Sequence, residues 1–343
     1  MSALSARGGA WVLVTGGAGY VAGCLIRALL AEGYGVVVLD DLSAGHADSV
    51  PAACELIVGR VGERRQLLPL FARPGLEGVF HFAGRTSVPE SVRDPLAYYT
   101  NNIAEGIALV AALAERPLRV PFVLSSSAGV YGPPDQIPVP VGEDAPTASP
   151  HAYGESKRVL EGLLARLGES QGLPFAALRY FNAAGATAEV VERHEPEGHL
   201  IPNLLHAAAG GPEATLYGRD YPTPDGTAVR DYVHVLDLAD GHLRALHHLR
   251  GGGASLALNL GSGSGASVLE VLAAAERAIG RPVPHRWHGR RPGDPPVLVA
   301  DIARARRLLG YAPRHSSIDE IVADAWRFRP TYPVGGSIVP APG

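Results

Sequence analysis

The stretch Trp11-Val12-Leu13-Val14-Thr15-Gly16-Gly17-Ala18-Gly19-Tyr20-Val21-Ala22-Gly23 decides how the rest of this 343-residue chain is read. Its first four residues are apolar, which predicts a buried strand. The glycines then predict a tight turn, and Leu25, Ile26, Leu29 and Leu30 recur at helical spacing until Gly33 stops the helix. With the second apolar run at 36–39, this is one βαβ unit. In that setting glycines let backbone amides at a helix N-terminus approach a pyrophosphate. Asp40 stands 21 residues beyond Gly19, at the end of the second strand, where a carboxylate can accept both ribose hydroxyls. A turn or capping aspartate is the alternative. Asp41 follows, and no arginine lies between Asp40 and Gly59, so a 2′-phosphate would meet negative charge without a counter-ion. NAD is therefore expected rather than NADP.

Apolar runs at 79–82, 122–124 and 175–178 alternate with helical patterns and extend that unit. The predicted fold class is α/β: a Rossmann-type doubly wound parallel sheet with a smaller C-terminal substrate-binding lobe. The expected division is 1–182 for the NAD-binding domain, with contributions from about 233–262, and 183–343 mainly for the substrate lobe. The run 255–260 reads as a further buried strand able to return to the main sheet. The end after Arg329, with Pro330, Pro333, Pro340 and Pro342, is expected to fray.

Lysine and arginine number 30 against 34 aspartates and glutamates, with 46% hydrophobic residues. That balance argues against disorder and leaves no basic field for nucleic acid or anionic lipid. Cys24 and Cys54 cannot build a disulfide framework, no apolar run approaches 18 residues, and the first strand begins too early to leave room for a signal peptide. A soluble cytoplasmic protein is expected, without nucleic acid or membrane as partner. His242, His247 and His248 gather on one predicted helix without a His-x-x-x-His pair or nearby cysteines, so a solvated face is expected there and no metal.

One lysine, Lys157, stands among the 30 basic residues. Its compact ammonium has a tunable pKa that arginine lacks. It follows Tyr153 by four positions on a predicted helix, so the two side chains share a face. Upstream, a strand ends in Ser125-Ser126-Ser127, at the carboxyl edge where α/β folds place their chemistry. A tyrosine with an ordinary pKa near 10 is a poor base at neutral pH. An ammonium about 4 Å away, at an effective dielectric near 20, favours phenolate by about 4 kcal/mol. Tyr153 is thus expected to take a hydroxyl proton during hydride transfer, with Ser127 holding the hydroxyl or relaying the proton. Strand-end hydrogen bonding is the other account of the serines.

Together with His81-Phe82-Ala83-Gly84, Tyr98-Tyr99-Thr100-Asn101-Asn102, Ser125 to Gly132, Tyr153-Gly154-Glu155-Ser156-Lys157 and the long run from Asp220 to Val235, the chain resembles the extended short-chain dehydrogenase/reductase superfamily. Within it, the UDP-galactose 4-epimerase family is the nearest likeness. The resemblance implies Ser127, Tyr153 and Lys157 as catalytic residues. It implies NAD contacts at Gly16, Gly19, Tyr20, Val21, Asp40, Phe82, Ala83, Asn102 and Tyr180, with Asp41, Ser125, Tyr153 and Lys157 as further cofactor candidates. Asn182, His199, Leu200, Tyr217, Arg230, Arg291, Asp294 and Leu298 are implied around a UDP-sugar. The arginines suit a diphosphate, Asp294 a ribose and Tyr217 a uracil, although Arg230 and Arg291 could instead be surface arginines. The implied cycle oxidises the sugar at C4, turns the keto-sugar over and returns the same hydride. A homodimer is the family's expectation.

The sequence departs from that family at Ala22, where a third glycine is usual, and at Arg60, where an aspartate meets adenine. It departs again at Thr86, in place of a lysine, and at His199, in place of an asparagine. Leu298 stands where a bulky tyrosine excludes N-acetylated sugars, which leaves UDP-GlcNAc and UDP-GalNAc open as substrates. Other readings are another NDP-sugar epimerase, a 4,6-dehydratase, which needs an Asp-Glu pair where Ser127-Ala128-Gly129 stands, and a non-catalytic NAD-sensing protein.

Overall fold

Strands buried on both faces read as unbroken apolar runs, because helices cover each side of a parallel sheet. The computed structural model, which describes residues 9–115, 120–133, 136–194, 197–291 and 293–329, has this form. The expected frayed end at Pro330, Pro333, Pro340 and Pro342 lies outside the described residues. The strands are β1 (Trp11–Thr15), β2 (Gly35–Asp40), β3 (Glu55–Val58), β4 (Leu76–His81), β5 (Phe122–Ser127), β6 (Phe175–Tyr180), β7 (Asn182–Ala184), β8 (Ala214–Tyr217), β9 (Val229–Arg230), β10 (Tyr232–His234), β11 (Leu256–Leu260), β12 (Ala266–Ser267), β13 (His285–His288) and β14 (Val297–Leu298). The helices are α1 (Tyr20–Ala31), α2 (Arg64–Ala72), α3 (Val88–Arg93), α4 (Pro95–Tyr98), α5 (Glu105–Ala114), α6 (Ala152–Gln171), α7 (Leu200–Ala208), α8 (Val235–Arg250), α9 (Val268–Ile279), α10 (Ala303–Leu309) and α11 (Ile318–Arg327).

Seven strands form the central sheet in the order β11-β6-β5-β4-β1-β2-β3, and every pairing is parallel. The strand expected at 255–260 is β11, which lies beside β6, so the chain returns to the main sheet after crossing the C-terminal segments. β3 pairs with β2 at the sheet edge and is only partly buried; its run Leu56-Ile57-Val58 is apolar and leads directly toward Arg60.

Alternation along each strand divides the core in two. Val12, Val14, Val36, Val38 and Phe80 pack with Leu25, Ile26 and Leu29 of α1 and Leu238 and Leu246 of α8. Trp11, Leu13, Val37, Leu39 and Val79 pack with Leu67 of α2, Leu109 and Leu113 of α5, and Leu160 and Leu164 of α6. Each such side chain contributes about 1.5–3 kcal/mol by leaving water. A third cluster joins α7, α9 and α11, with Leu204, Leu216, Val271 and Ile321 at its centre.

The buried stripe of α6 is not wholly apolar, since Lys157 and Glu161 lie on it with Leu160 and Leu164. Glu161 accepts from Arg179 of β6, at 2.6 Å from Nη2, and from the Ser126 hydroxyl of β5. Arg179 lies 5.1 Å from the ring centroid of Tyr131. Replacing Arg179 by Met leaves a buried carboxylate without its guanidinium, and we expect a loss of about 3 kcal/mol in urea-unfolding free energy. Adding Glu161→Gln should recover much of it. An Arg179→Met variant as stable as the parent would show that the pair does not anchor α6 to the sheet.

Candidate active site

Between β1 and β4 the strand order reverses, which opens a crevice at their carboxyl ends. The glycine turn lies there. Gly16 has φ of +70°, and a Cβ on it would lie 2.4 Å from the Ala83 amide nitrogen. The amides of Phe82 and Ala83 donate to the Thr15 carbonyl at 2.9 and 3.1 Å, holding this close approach. Gly19 caps α1, and Val21 packs at the core edge in its first turn. A tight glycine turn of this kind, feeding backbone amides into a helix N-terminus, suits a dinucleotide pyrophosphate.

Asp40 is buried, and its carboxylate accepts from the Ala18 amide at 3.0 Å and the Leu42 amide at 2.8 Å. Burial pushes its pKa up while those amides oppose the shift. The turn role weighed for Asp40 is therefore real, yet two amides leave lone pairs for ribose hydroxyls. Exposed Asp41 accepts from the amide and hydroxyl of Ser43, bracing the next turn. Arg60 is committed to Glu105 of α5. The Tyr20 hydroxyl donates to the Gly185 carbonyl. Buried Asn102 sits in a π-helical turn, Tyr99–Ala104, and joins three segments. Its Oδ1 accepts from the Arg85 amide at 2.8 Å, and its Nδ2 donates to the Arg85 carbonyl and the Ser156 hydroxyl, each at 3.0 Å.

Tyr153 lies in the first turn of α6, its ring stacked on the N-cap His151 at 6.1 Å, and its phenol interacts with the side chain of Ser127 at the end of β5. Lys157 lies one turn on and is 2% exposed. The expected dominance of the ammonium over Tyr153 does not hold. Burial pushes the phenol up, and the force opposing it is the interaction with Ser127. Lys157 is itself driven down to about 8 by burial, against the pull of Glu161. Desolvation wins because both groups are enclosed by protein. His81 closes this corner: its Nδ1 meets the Thr15 hydroxyl at 2.7 Å, and burial, aided by Lys157, pushes its pKa down to about 3.

His242 is a second correction, for it is fully buried rather than solvated. It continues the core stripe of Leu238, Leu246 and Leu249 along α8, a spacing that the apolar pattern could have disclosed. Burial pushes its pKa down to about 4, so the ring is neutral. Its Nδ1 faces the Leu238 carbonyl at 2.8 Å and must carry the proton, which leaves Nε2 to accept from the Tyr180 hydroxyl at 3.4 Å. Phe82 stacks on the His242 ring at 4.8 Å. His247 behaves as expected, half-exposed and 2.9 Å from Glu32.

The remaining candidates gather on the C-terminal segments. Arg230 of β9 lies 3.6 Å from Asp294 and pairs in register with Leu298 of β14, while the Arg291 guanidinium lies 4.2 Å from the Tyr217 ring centroid. Asn182 opens β7 beside β10, with its amide donating to Asp231. His199 caps α7, whose first residue is Leu200, and meets Glu192 at 2.7 Å. Sequence reasoning missed Asp231, which is fully buried and accepts from the amides of Ser262, Gly263 and Ala300 and the Ser262 hydroxyl. It pins β9 and β10 to the turn after β11.

His242→Leu preserves packing but removes the acceptor for Tyr180. We expect affinity for NAD, titrated into nucleotide-free protein, to fall about fivefold, the worth of one hydrogen bond. The same substitution made on Tyr180→Phe should have no further effect. An equal loss in both backgrounds would assign the effect to packing alone.

A sequence model of the NAD dependent epimerase/dehydratase family matches residues 12–261. The chain is 45% identical over 317 residues to a UDP-glucose 4-epimerase of Azospirillum brasilense, covering 92% of this chain and 90% of that one. The NAD complex of UDP-glucose 4-epimerase from Brucella ovis superposes with a TM-score of 0.88 at 40% identity, covering 93% of this chain and 98% of that one. A UDP-Glc/GlcNAc 4-epimerase from Campylobacter jejuni gives a TM-score of 0.81 at 32% identity, covering 93% and 98%. On sequence and fold together, the chain belongs to the NAD dependent epimerase/dehydratase family.

Proposed function

We propose that the chain interconverts UDP-glucose and UDP-galactose by inverting C4, with NAD as resident cofactor. The observation that carries this reading is the placement of Tyr153 toward Ser127 at the end of β5, one helical turn from the fully enclosed Lys157 and beside the glycine turn. Gly16, Gly19, Asp40, Phe82, Ala83, Asn102, Tyr180 and Lys157 would hold NAD, which supplies a reversible acceptor for the C4 hydride. Tyr153 takes the 4-hydroxyl proton at its phenolic oxygen and later returns it, and because the hydride that NAD would accept would return to C4 the sugar ends with no net oxidation. Ser127 holds that hydroxyl against the phenol. Lys157, one helical turn away, contributes positive charge that favours the phenolate against the opposing cost of burial. Arg230 and Arg291 anchor the diphosphate, with Tyr217 against the base and Asp294, Asn182, His199 and Leu200 around the rest of the nucleotide. The anchored arms let the keto-sugar turn between two presentations.

Leu298 leaves room beside C2 of the sugar, and the similarity to a UDP-Glc/GlcNAc 4-epimerase supports a substrate range that includes N-acetylated sugars. Wild-type protein should epimerise both UDP-galactose and UDP-GalNAc, identified by product chromatography. Leu298→Tyr should lose the second at least tenfold more than the first, a difference of about 1.4 kcal/mol. Turnover of the unacetylated pair alone by the wild type would remove the broader range.

Lys157→Met and Tyr153→Phe should each lower turnover of UDP-galactose at least 10³-fold, the upper part of the range for a lost acid–base group. The lysine also costs stability. Its folded pKa of about 8 lies below the unfolded value, so the unfolded chain binds more protons between pH 8 and about 10.5, and stability rises across that window. Below pH 8 the penalty is complete, about 3 kcal/mol. Nucleotide-free Lys157→Met should therefore unfold at higher urea than wild type at pH 7, with the gap closing toward pH 10.5. A variant that is both active and no more stable would overturn the assignment.

A further inference from the structure

Four metal-ligating side chains converge on the segment that leads into α7, apart from the groups assigned to hydride and proton transfer. Glu192 Oε1 accepts from the Nδ1 atoms of two imidazoles, His194 at 3.0 Å and His199 at 2.7 Å. His199 Nδ1 also lies 3.0 Å from Glu197 Oε1. The four donor atoms all fall within 4.8 Å of one another. The Glu192 side chain is only 8% exposed, and the two imidazole rings lie 5.3 Å apart. Arginine neutralises several other carboxylates of this chain, as in Arg73–Glu55, Arg60–Glu105 and Arg179–Glu161. Here the neighbouring Arg193 turns away to Asp48 and Ser49, and the hydrogen-bond partners of Glu192 are imidazoles.

We propose that Glu192, His194, Glu197 and His199 form a binding site for a divalent transition-metal ion of the zinc class. Two imidazole nitrogens and two carboxylate oxygens suit four-coordinate Zn²⁺. Tetrahedral donors about 2.1 Å from zinc lie about 3.4 Å from one another, so the close pairs part slightly and the distant ones draw in. Two carboxylates balance the dication, with each imidazole moving its Nδ1 proton to Nε2 or to solvent. The His194 ring stands edge-on to Tyr20, at 6.5 Å, in the first turn of α1. An ion here would thus tie the entry to α7 to the helix that follows the glycine cradle. This site goes beyond the epimerase reading and is tested by metal binding, not by turnover.

The test uses full-length, tag-free protein with its nucleotide retained, dialysed against Zn²⁺ and, separately, Co²⁺. We expect one ion per chain, a tetrahedral Co²⁺ visible spectrum, and a rise in Tm of about 3–5 °C at a hundredfold excess of free Zn²⁺ over Kd. Glu192→Gln and His194→Ala should each weaken binding at least 100-fold while NAD content and circular dichroism are retained. If either variant fails to fold, His194→Gln replaces it. His247→Gln, on the exposed face of α8, should bind as wild type does. Absence of stoichiometric binding, an octahedral Co²⁺ spectrum, or binding that survives in the Glu192 and His194 variants would overturn the site.

Discussion

A buried ammonium without a carboxylate behind it would be expelled or neutralised, and the arrangement of α6 against β5 and β6 is governed by that constraint. Lys157 is enclosed, and the charge that offsets its burial is Glu161, one helical turn further on. Glu161 is held in turn by Arg179 and Ser126, so the register between α6 and two strands of the sheet is set by ionic and hydrogen-bonded partners and not by apolar packing alone. Tyr153 lies at the other end of the same stripe. Its position relative to Ser127 therefore depends on how α6 sits on the sheet, which the Glu161–Arg179 pair fixes against β6.

The same sheet serves the dinucleotide cradle. Because β1 and β4 are adjacent in space but separated in sequence, their exits diverge, and Gly16 can press against Ala83 only at that point. The glycine turn, Asp40 and Asn102 each satisfy backbone groups of their own neighbourhood, so the crevice is shaped before any ligand enters. Asp231 does comparable service for the C-terminal segments, tying β9 and β10 to the turn after β11.

Much of this was legible from residues alone. The inner strands of the sheet announce themselves by continuous apolar runs, and a lone lysine four positions after a tyrosine picks out the face of α6 that the fold encloses. What escaped reading was tertiary in origin. The π-helical turn at Asn102 inserts no distinctive residue type. His242 looked like one of several solvated histidines, although its phase along α8 matches the leucines of the core. The titration of Tyr153 was misjudged because a pairwise Coulomb argument omits the cost of enclosing the phenolate, which the packed fold makes the larger effect.

The placement of β11 at one edge of the central sheet has a consequence for biogenesis. The partner strand β6 ends at Tyr180, and some 75 residues of other structure intervene before Leu256. During translation the exposed rim of β6 must wait unpaired while that long excursion leaves the ribosome. A polysome stalled within it would display an open β edge, the kind of surface that chaperones shield.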